Sequence, residues 1–109
     1  MENVDIALKN ALSPFGLDLE SSIYQGEAKK YISYNYTTVP IDFGDDAPAR
    51  ERYLVQVHIV APYGENINSL VREIKAALFA SDFSWPEYID ASDRDRRHIV
   101  LETEAVTEL

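Results

Sequence analysis

The sequence predicts an α+β domain, with an antiparallel sheet of about four to five strands and two helices packed on one face of that sheet. Two segments in the middle of the chain alternate between apolar and polar residues, which is the period of a strand. A third segment, between residues 67 and 78, repeats its apolar residues at the period of a helix. The length of 109 residues and the hydrophobic fraction of 46% fit one domain spanning residues 1–109.

The first predicted element is a short amphipathic helix from Val4 to Phe15. Its apolar residues lie mostly three or four positions apart, at Val4, Ile6, Leu8, Ala11, Leu12 and Phe15. Pro14 and Gly16 are typical of the point where a helix ends. The segment 17–24 follows, and its apolar spacing favours a short edge strand that ends at Gly26.

Two clear strands come next, over Lys30 to Tyr36 and over Arg52 to Ala61. In the first, Ile32, Tyr34 and Tyr36 share one face, while Tyr31, Ser33 and Asn35 share the other. In the second, Tyr53, Val55, Val57, Ile59 and Ala61 lie opposite Leu54, Gln56, His58 and Val60. One face is apolar and the other is mixed, which indicates an antiparallel sheet covered by helices on one side.

The segment from Thr37 to Arg50 joins these strands and is predicted to be a long acidic loop. It carries Pro40, Gly44 and Pro48 together with three aspartates, Asp42, Asp45 and Asp46. Loops of this length are uncommon between adjacent strands, and they often serve binding. We therefore expect either a solvated tip or a functional arm here.

The second helix and a terminal hairpin complete the prediction. The helical stripe runs through Ile67, Leu70, Val71, Ile74, Ala77 and Leu78, and Asn66 is its expected N-cap. A strand at 85–89 follows, and its Pro86 restricts it to the edge of a sheet. A turn at 92–95 then leads into a final strand from Arg97 to Ala105.

Composition excludes several classes of function. The chain has no cysteine, so disulfides, thiolate nucleophiles and cysteine-based metal sites are excluded. A net charge of -9 opposes binding of nucleic acid over a broad face, because such binding needs clustered Lys and Arg. No apolar run approaches the ~20 residues that a membrane-spanning helix requires. We therefore predict no specific nucleic-acid binding and no membrane partner.

Residues that could support catalysis or metal binding are few. His58 and His98 both lie in predicted strands, and their spacing matches no metal motif. The glycines are isolated, so no phosphate-binding loop is predicted. Asp42, Asp45 and Asp46 lack the ligand spacing of a calcium loop. The sequence therefore predicts no catalytic residue, no metal and no cofactor.

Tyrosines and a mixed sheet face indicate contact with other proteins. Five of the seven tyrosines lie between residues 24 and 53, where they serve either the core or an interface. The face that carries Tyr31, Leu54, His58 and Val60 is too apolar to remain wholly in water. We expect self-association or a protein partner to cover it.

Taken together, these segments resemble the small tail-completion proteins of long-tailed bacteriophages and prophages, the tail terminator or head–tail joining group. The resemblance spans about residues 24–104. It lies in the stretches Tyr31-Ile32-Ser33-Tyr34-Asn35-Tyr36, Gly44-Asp45-Asp46-Ala47-Pro48, Tyr53-Leu54-Val55-Gln56-Val57-His58-Ile59, Tyr63-Gly64-Glu65-Asn66, Leu70-Val71-Arg72-Glu73-Ile74-Lys75 and Arg97-His98-Ile99-Val100-Leu101-Glu102.

The resemblance implies a structural role in the virion and no enzymatic activity. Proteins of this group cap the tail tube as a ring, usually a hexamer, and join it to the head connector. The implied partners are further copies of the chain, the tail tube protein and the head–tail connector protein. The implied location is the head–tail junction of the virion, after synthesis in the cytoplasm of the bacterial host.

By the same resemblance, two groups of residues are expected at subunit or tail-tube contacts. The first group lies in the segment 37–50 and consists of Asp42, Phe43, Asp45, Asp46 and Arg50. The second consists of Tyr31, Leu54 and His58 on the mixed face of the sheet.

Two alternatives remain open from the residues themselves. One is a ferredoxin-like regulatory module that binds a small molecule and dimerises through its sheet. The other is a hydrolase or metal-dependent enzyme that uses His58 with Asp45 or Asp46.

Overall fold

Five strands form one sheet, and two helices cover one of its faces. The computed structural model describes residues 3–108, so Met1, Glu2 and Leu109 of the predicted domain lie outside the described residues. The helices are α1 (Val4–Leu12) and α2 (Asn68–Ala80), and a 3-10 turn at Ser13–Phe15 follows α1. The strands are β1 (Asp18–Ser21), β2 (Tyr31–Gly44), β3 (Ala47–Pro62), β4 (Glu87–Asp90) and β5 (Arg96–Glu108).

The sheet has the order β1-β2-β3-β5-β4, and it confirms the predicted α+β class. All neighbouring strands are antiparallel except β1 and β2, which are parallel. The parallel pair arises because a nine-residue connection at 22–30 returns the chain to the end of the sheet where β1 began. Both edge strands are short, with four residues in each of β1 and β4.

The core lies between the helices and the apolar face of the three central strands. Along each strand every second residue points toward the helices, so one face of each strand is buried. The fully buried strand residues are Ile32, Tyr34, Val57, Ile59, Ala61, Ile99 and Leu101. Leu8 and Leu12 of α1 and Ile74 and Leu78 of α2 pack onto them. The face predicted to be apolar is therefore the face that the helices cover.

Local signals set the ends of the helices. Asn3 caps α1 by accepting a hydrogen bond from the backbone N–H of Ile6 at 3.1 Å. The helix ends at Leu12 rather than at the predicted Phe15, because Pro14 has no N–H to donate within the last turn. Gly16 then adopts a φ of 71°, which reverses the chain toward β1.

The start of α2 differs slightly from the prediction. The helix begins at Asn68, with Ile67 in the cap position. Asn66 still accepts a hydrogen bond from the backbone N–H of Asn68 at 3.0 Å, so it satisfies a free donor of the first turn. Glu65 forms an ion pair with Lys30 at 2.6 Å.

The largest correction concerns the segment 37–50, which is a β-hairpin and not a loop. Residues 37–44 continue β2, residues 47–50 begin β3, and Thr37 pairs with Leu54 while Gly44 pairs with Ala47. Only Asp45 and Asp46 form the turn, with φ values of 50° and 63°. Positive φ at both central residues is typical of the type I′ turn that closes a two-residue hairpin.

A part-buried hydrogen bond joins α1 to the sheet. The hydroxyl of the fully buried Tyr34 donates to Oδ1 of Asp5 at 2.6 Å, and Lys9 pairs with the same carboxylate at 3.0 Å. The bond from Tyr34, followed by the contact with Lys9, lowers the pKa of Asp5 from its usual 3.8. Burial and the bond to Asp5 raise the pKa of Tyr34.

We predict that Tyr34→Phe lowers the free energy of unfolding by about 1–2 kcal/mol at pH 7, because Asp5 loses its buried donor. The folded-state pKa of Asp5 is lowered, so the stability that it contributes is present above pH 3.8 and is lost as the pH falls through the folded value. Urea unfolding at pH 7 and at pH 3 measures both effects, and the difference between variant and wild type should shrink in acid.

Tyr36→Phe is the matched control for this variant. The Tyr36 ring stacks on Tyr53 with centroids 5.5 Å apart, and its side chain is partly exposed. We expect the stability of Tyr36→Phe to stay within about 0.5 kcal/mol of the wild type. Equal losses in the two variants would contradict a specific role for the Tyr34–Asp5 bond.

Candidate functional site

The site residues that were predicted from the sequence lie on two surfaces of the molecule. We call the hairpin at residues 37–50 the arm, and it contains Asp42, Phe43, Asp45, Asp46 and Arg50. We call the sheet face opposite the helices the open face, and it contains Tyr31, Leu54 and His58. The arm and the open face are continuous, because β2 and β3 run through both.

The arm extends beyond the part of the sheet that the helices cover. Strand β1 pairs with β2 only as far as Tyr34, and β5 pairs with β3 as far as Arg50. The end of the arm therefore consists of two strands alone. The molecule measures 53 × 23 × 23 Å, and its radius of gyration of 15.0 Å exceeds the ~13 Å typical of a domain of this length.

The residues of the arm explain why it is a paired hairpin. Val39, Ile41 and Phe43 alternate with Thr38, Pro40 and Asp42, which is the period of a strand. Pro40 is tolerated because β2 has no outer neighbour beyond Tyr34, and Pro48 is tolerated because β5 does not reach it. This alternation around a two-residue Asp turn is the signal that the loop prediction missed.

The tip of the arm combines negative charge with an exposed aromatic ring. Arg50 forms an ion pair with Asp42 across the hairpin, while Asp45 and Asp46 are exposed in the turn. An exposed pair of this kind contributes at most about 1 kcal/mol, so it orients the tip more than it stabilises it. Phe43 is 63% exposed, which is a high fraction for a large apolar side chain.

The open face has a buried apolar centre and a polar surround. Val60 and Val100 are 3% and 8% exposed although no helix covers them. Leu54 is 38% exposed, and the side chains of Tyr31 and His58 are half-buried. The structure therefore places the three predicted open-face residues on one surface, along two neighbouring strands.

The two histidines of the chain meet on this face. His58 pairs with Val100 in the register and Val60 pairs with His98, so the histidines are diagonal neighbours on β3 and β5. Nδ1 of His58 lies 2.9 Å from Nε2 of His98. Nε2 of His58 lies 3.0 Å from Oδ1 of Asn35, on β2.

The hydrogen-bond partners determine which ring nitrogen carries the proton. The amide oxygen of Asn35 only accepts, so Nε2 of His58 must donate to it. Nδ1 of His58 therefore has a lone pair, which accepts the N–H of Nε2 of His98. Burial, followed by the charge of the other ring, lowers the pKa of His58; burial, followed by Arg96, lowers that of His98.

A cleft of about 340 Å³ opens beside the histidines. Tyr24 and Tyr31 line it, and their rings stack with centroids 3.8 Å apart. A second, wider cleft of about 560 Å³ lies between Leu54, Gln56 and Trp85. Sequence reasoning missed the contact of Asn35 with His58, the stacking of Tyr24 on Tyr31 and the position of Trp85 in the larger cleft, because they depend on the register and on the path of the connections.

The structure does not bring His58 together with Asp45 or Asp46 within one chain. Twelve positions separate His58 from Asp46 along β3, which corresponds to about 40 Å at the rise of a strand. Among residues 3–108, no group of three or more His, Asp or Glu side chains is placed to hold a metal ion. The enzyme alternative therefore lacks the constellation on which it was based.

The two helices bear on the prediction that the chain has no membrane partner. Neither helix within the described part of the chain is long and apolar enough to cross a membrane.

Comparisons with known proteins support the fold alone. No family model and no curated protein matches the sequence. Several solved structures align with the chain, and one of them has a TM-score of 0.64 and 13% sequence identity, with the alignment covering 97% of this chain and 93% of the other. Its name carries no functional description. The alignment indicates that the two chains share a fold.

We predict that the histidine pair makes the fold sensitive to mild acid. The folded-state pKa of each ring is lowered below the 6.5 of the unfolded chain, so the unfolded state binds protons first as the pH falls. The stability contribution is present above pH 6.5 and is lost as the pH falls through the folded values. Thermal unfolding between pH 8 and pH 5 measures this loss.

The double variant His58→Gln/His98→Gln is the control for this prediction. Glutamine retains hydrogen-bonding groups but does not titrate, so the fall in melting temperature between pH 8 and pH 5 should become smaller. A decline as steep as that of the wild type would assign the acid sensitivity to other groups.

Proposed function

We propose that this chain is a ring-forming tail-completion protein of a long-tailed bacteriophage or prophage, in the tail terminator or head–tail joining role. In this role it caps the tail tube and joins it to the head connector. The proposal rests on the resemblance of residues 24–104 and, above all, on the arm, whose exposed apolar tip has the properties of a contact surface.

The arm supports an assembly role because its own contacts contribute little to its stability in the single subunit. A two-stranded hairpin without further packing is marginally stable in water. Val39 and Ile41 are half-buried and Phe43 is largely exposed, so the hairpin presents apolar surface far from the core. Exposed apolar surface of this kind marks sites of interaction between proteins.

The position of the arm permits a head-to-tail contact between subunits. The tip of the arm and the helix-covered body lie at opposite ends of a molecule 53 Å long. If the arm of one subunit contacts the body of the next, the contact is head-to-tail. Head-to-tail contacts form closed rings when the rotation between subunits closes.

The charge of the chain suits a channel for DNA. Each subunit carries a net charge of -9, and Asp45 and Asp46 concentrate part of it at the arm. In a ring, acidic side chains around the opening would repel the DNA phosphates and let DNA pass without binding. In this proposal the partners are further copies of the chain, the tail tube protein and the connector, at the head–tail junction of the virion.

The ferredoxin-like alternative is favoured only by the cleft of about 340 Å³ on the open face. The order of elements opposes it: the chain runs α-β-β-β-α-β-β, whereas the ferredoxin-like motif runs β-α-β-β-α-β. A thermal-shift screen of metabolites tests it, since a bound ligand raises the melting temperature.

We predict that Phe43→Ser prevents ring formation and leaves the monomer folded. The side chain is 63% exposed, so its loss should change the free energy of unfolding by no more than about 0.5 kcal/mol. Native mass spectrometry of the wild type should detect a ring, and that of the variant a monomer. Electron microscopy of purified tails should show the wild type, and not the variant, at the end of the tube.

Tyr63→Ser is the matched control, because Tyr63 is aromatic and 63% exposed like Phe43 and lies in the turn after β3, outside the arm and the open face. It should assemble like the wild type. A wild-type protein that stays monomeric and never joins tail tubes would overturn the proposed function. If Phe43→Ser forms the ring as well as the wild type does, the proposed function stands, but the arm is not the contact between subunits.

A further inference from the structure

We propose that the tip of the arm of one subunit docks into the cleft beside Tyr24 and Tyr31 on the open face of the next subunit, with Phe43 as the inserted side chain. The occupant of this cleft is thus a second copy of the chain. The inference rests on the proposed function, because it identifies the two surfaces that meet when copies of the chain assemble.

The cleft has the size and the lining to accept an aromatic side chain. Its volume is about 340 Å³, and its lining includes the stacked rings of Tyr24 and Tyr31 together with Ile23 and Val60. Ile23 is 77% exposed in the single subunit, so a partner would bury apolar surface there. Aromatic side chains that fill such pockets contribute much of the binding energy of protein interfaces. Phe43, at 63% exposure, is the exposed aromatic side chain that the arm offers.

Charge distinguishes this cleft from two others on the surface. The other two have three carboxylates each in their linings: Glu87, Glu102 and Glu104 in the cleft of about 560 Å³, and Glu65, Asp90 and Asp93 in a cleft of about 1000 Å³. Among residues 3–108, those that line the cleft beside Tyr24 include no carboxylate. Because the tip carries Asp45 and Asp46, the first two clefts repel it and the third does not.

Arg96 adds a positive charge beside the cleft. One of its terminal nitrogens lies 3.5 Å from the hydroxyl of Tyr31. Burial, followed by the charge of Arg96, lowers the pKa of His98, which also lines the cleft. Within the described part of the chain Arg96 forms no ion pair. It is therefore available to pair with an aspartate of the incoming tip.

The contact must join two different subunits. Twelve positions separate Phe43 from Tyr31 along β2, which corresponds to about 40 Å at the rise of a strand, so the tip does not reach the cleft of its own chain. Contact between two tips is opposed as well, because it would bring two copies of Asp45 and Asp46 together. The tip of one subunit therefore meets the cleft of another, which is a head-to-tail contact.

A disulfide cross-link tests the contact, and the chain has no natural cysteine that could interfere. Gly44→Cys places a thiol next to Phe43, at a position where an added Cβ meets no atom within 4 Å. Ile23→Cys places a second thiol at the cleft. A disulfide requires Cα atoms within about 7 Å, so mild oxidation of Gly44→Cys/Ile23→Cys should join subunits covalently on a non-reducing gel. The control Gly44→Cys/Tyr63→Cys should not cross-link, because Tyr63 lines the cleft of about 1000 Å³.

Charge variants test the role of Arg96. Arg96→Asp should raise the dissociation constant between subunits about tenfold or more, because a carboxylate then faces Asp45 and Asp46. Adding Asp45→Asn/Asp46→Asn removes this repulsion, so the triple variant should assemble better than Arg96→Asp alone. Asparagine tolerates the positive φ of the turn, so the hairpin should persist. Arg94→Asp is the matched control, because Arg94 lies two positions away but lines another cleft, and it should assemble like the wild type.

The outcomes separate this contact from the proposed function. If the wild type forms a ring but Gly44→Cys/Ile23→Cys gives no cross-link, the contact is wrong and the proposed function stands. An equal yield of cross-link in the Tyr63→Cys control, or equal losses of affinity in Arg96→Asp and Arg94→Asp, would also overturn the contact. A wild type that stays monomeric would overturn both. The cross-link does not depend on the charge variants, whose folding is checked by their melting temperatures.

Discussion

The register of β3 is the constraint on which the other features depend. This strand of 16 residues pairs with β2 on one side and with β5 on the other. Its alternation places Val55, Val57 and Ile59 against the helices and places Leu54, Gln56 and His58 on the open face. A shift of one position would exchange these two sets, which would bury polar groups and expose the core. The core, the histidine pair and the arm are therefore fixed by the same pairing.

The sequence predicted the fold class because the periodic segments are long and unambiguous. The stripe of α2 and the alternation of β3 both consist of apolar residues at fixed spacings. Residues at those spacings lie on one face of the element and are buried together. The arm was mistaken for a loop because Pro40, Gly44 and Pro48 are usually read as breaks. Both prolines are nevertheless tolerated in strands, because each lies where its strand has no neighbour on one side and no N–H is needed there.

The candidate site was predictable in part. Placing Tyr31, Leu54 and His58 on one face required only the alternation within each strand. The contact between His58 and His98 required the register between β3 and β5, and α2 and β4 separate those strands along the chain. The apolar pattern of each strand does not say which residues of two distant strands lie opposite each other, so the sequence alone does not give that register. The same holds for Asn35, whose contact with His58 crosses from β2 to β3.

The paired state of the arm has a consequence for the energetics of association. A disordered loop would have to lose its conformational freedom when it binds, and that cost is subtracted from the affinity. In this chain the turn at Asp45 and Asp46 closes a hairpin that is already ordered in the single subunit. Part of the entropy of ordering is therefore lost already during folding, and the paired arm brings its apolar side chains to a partner in a preorganised geometry.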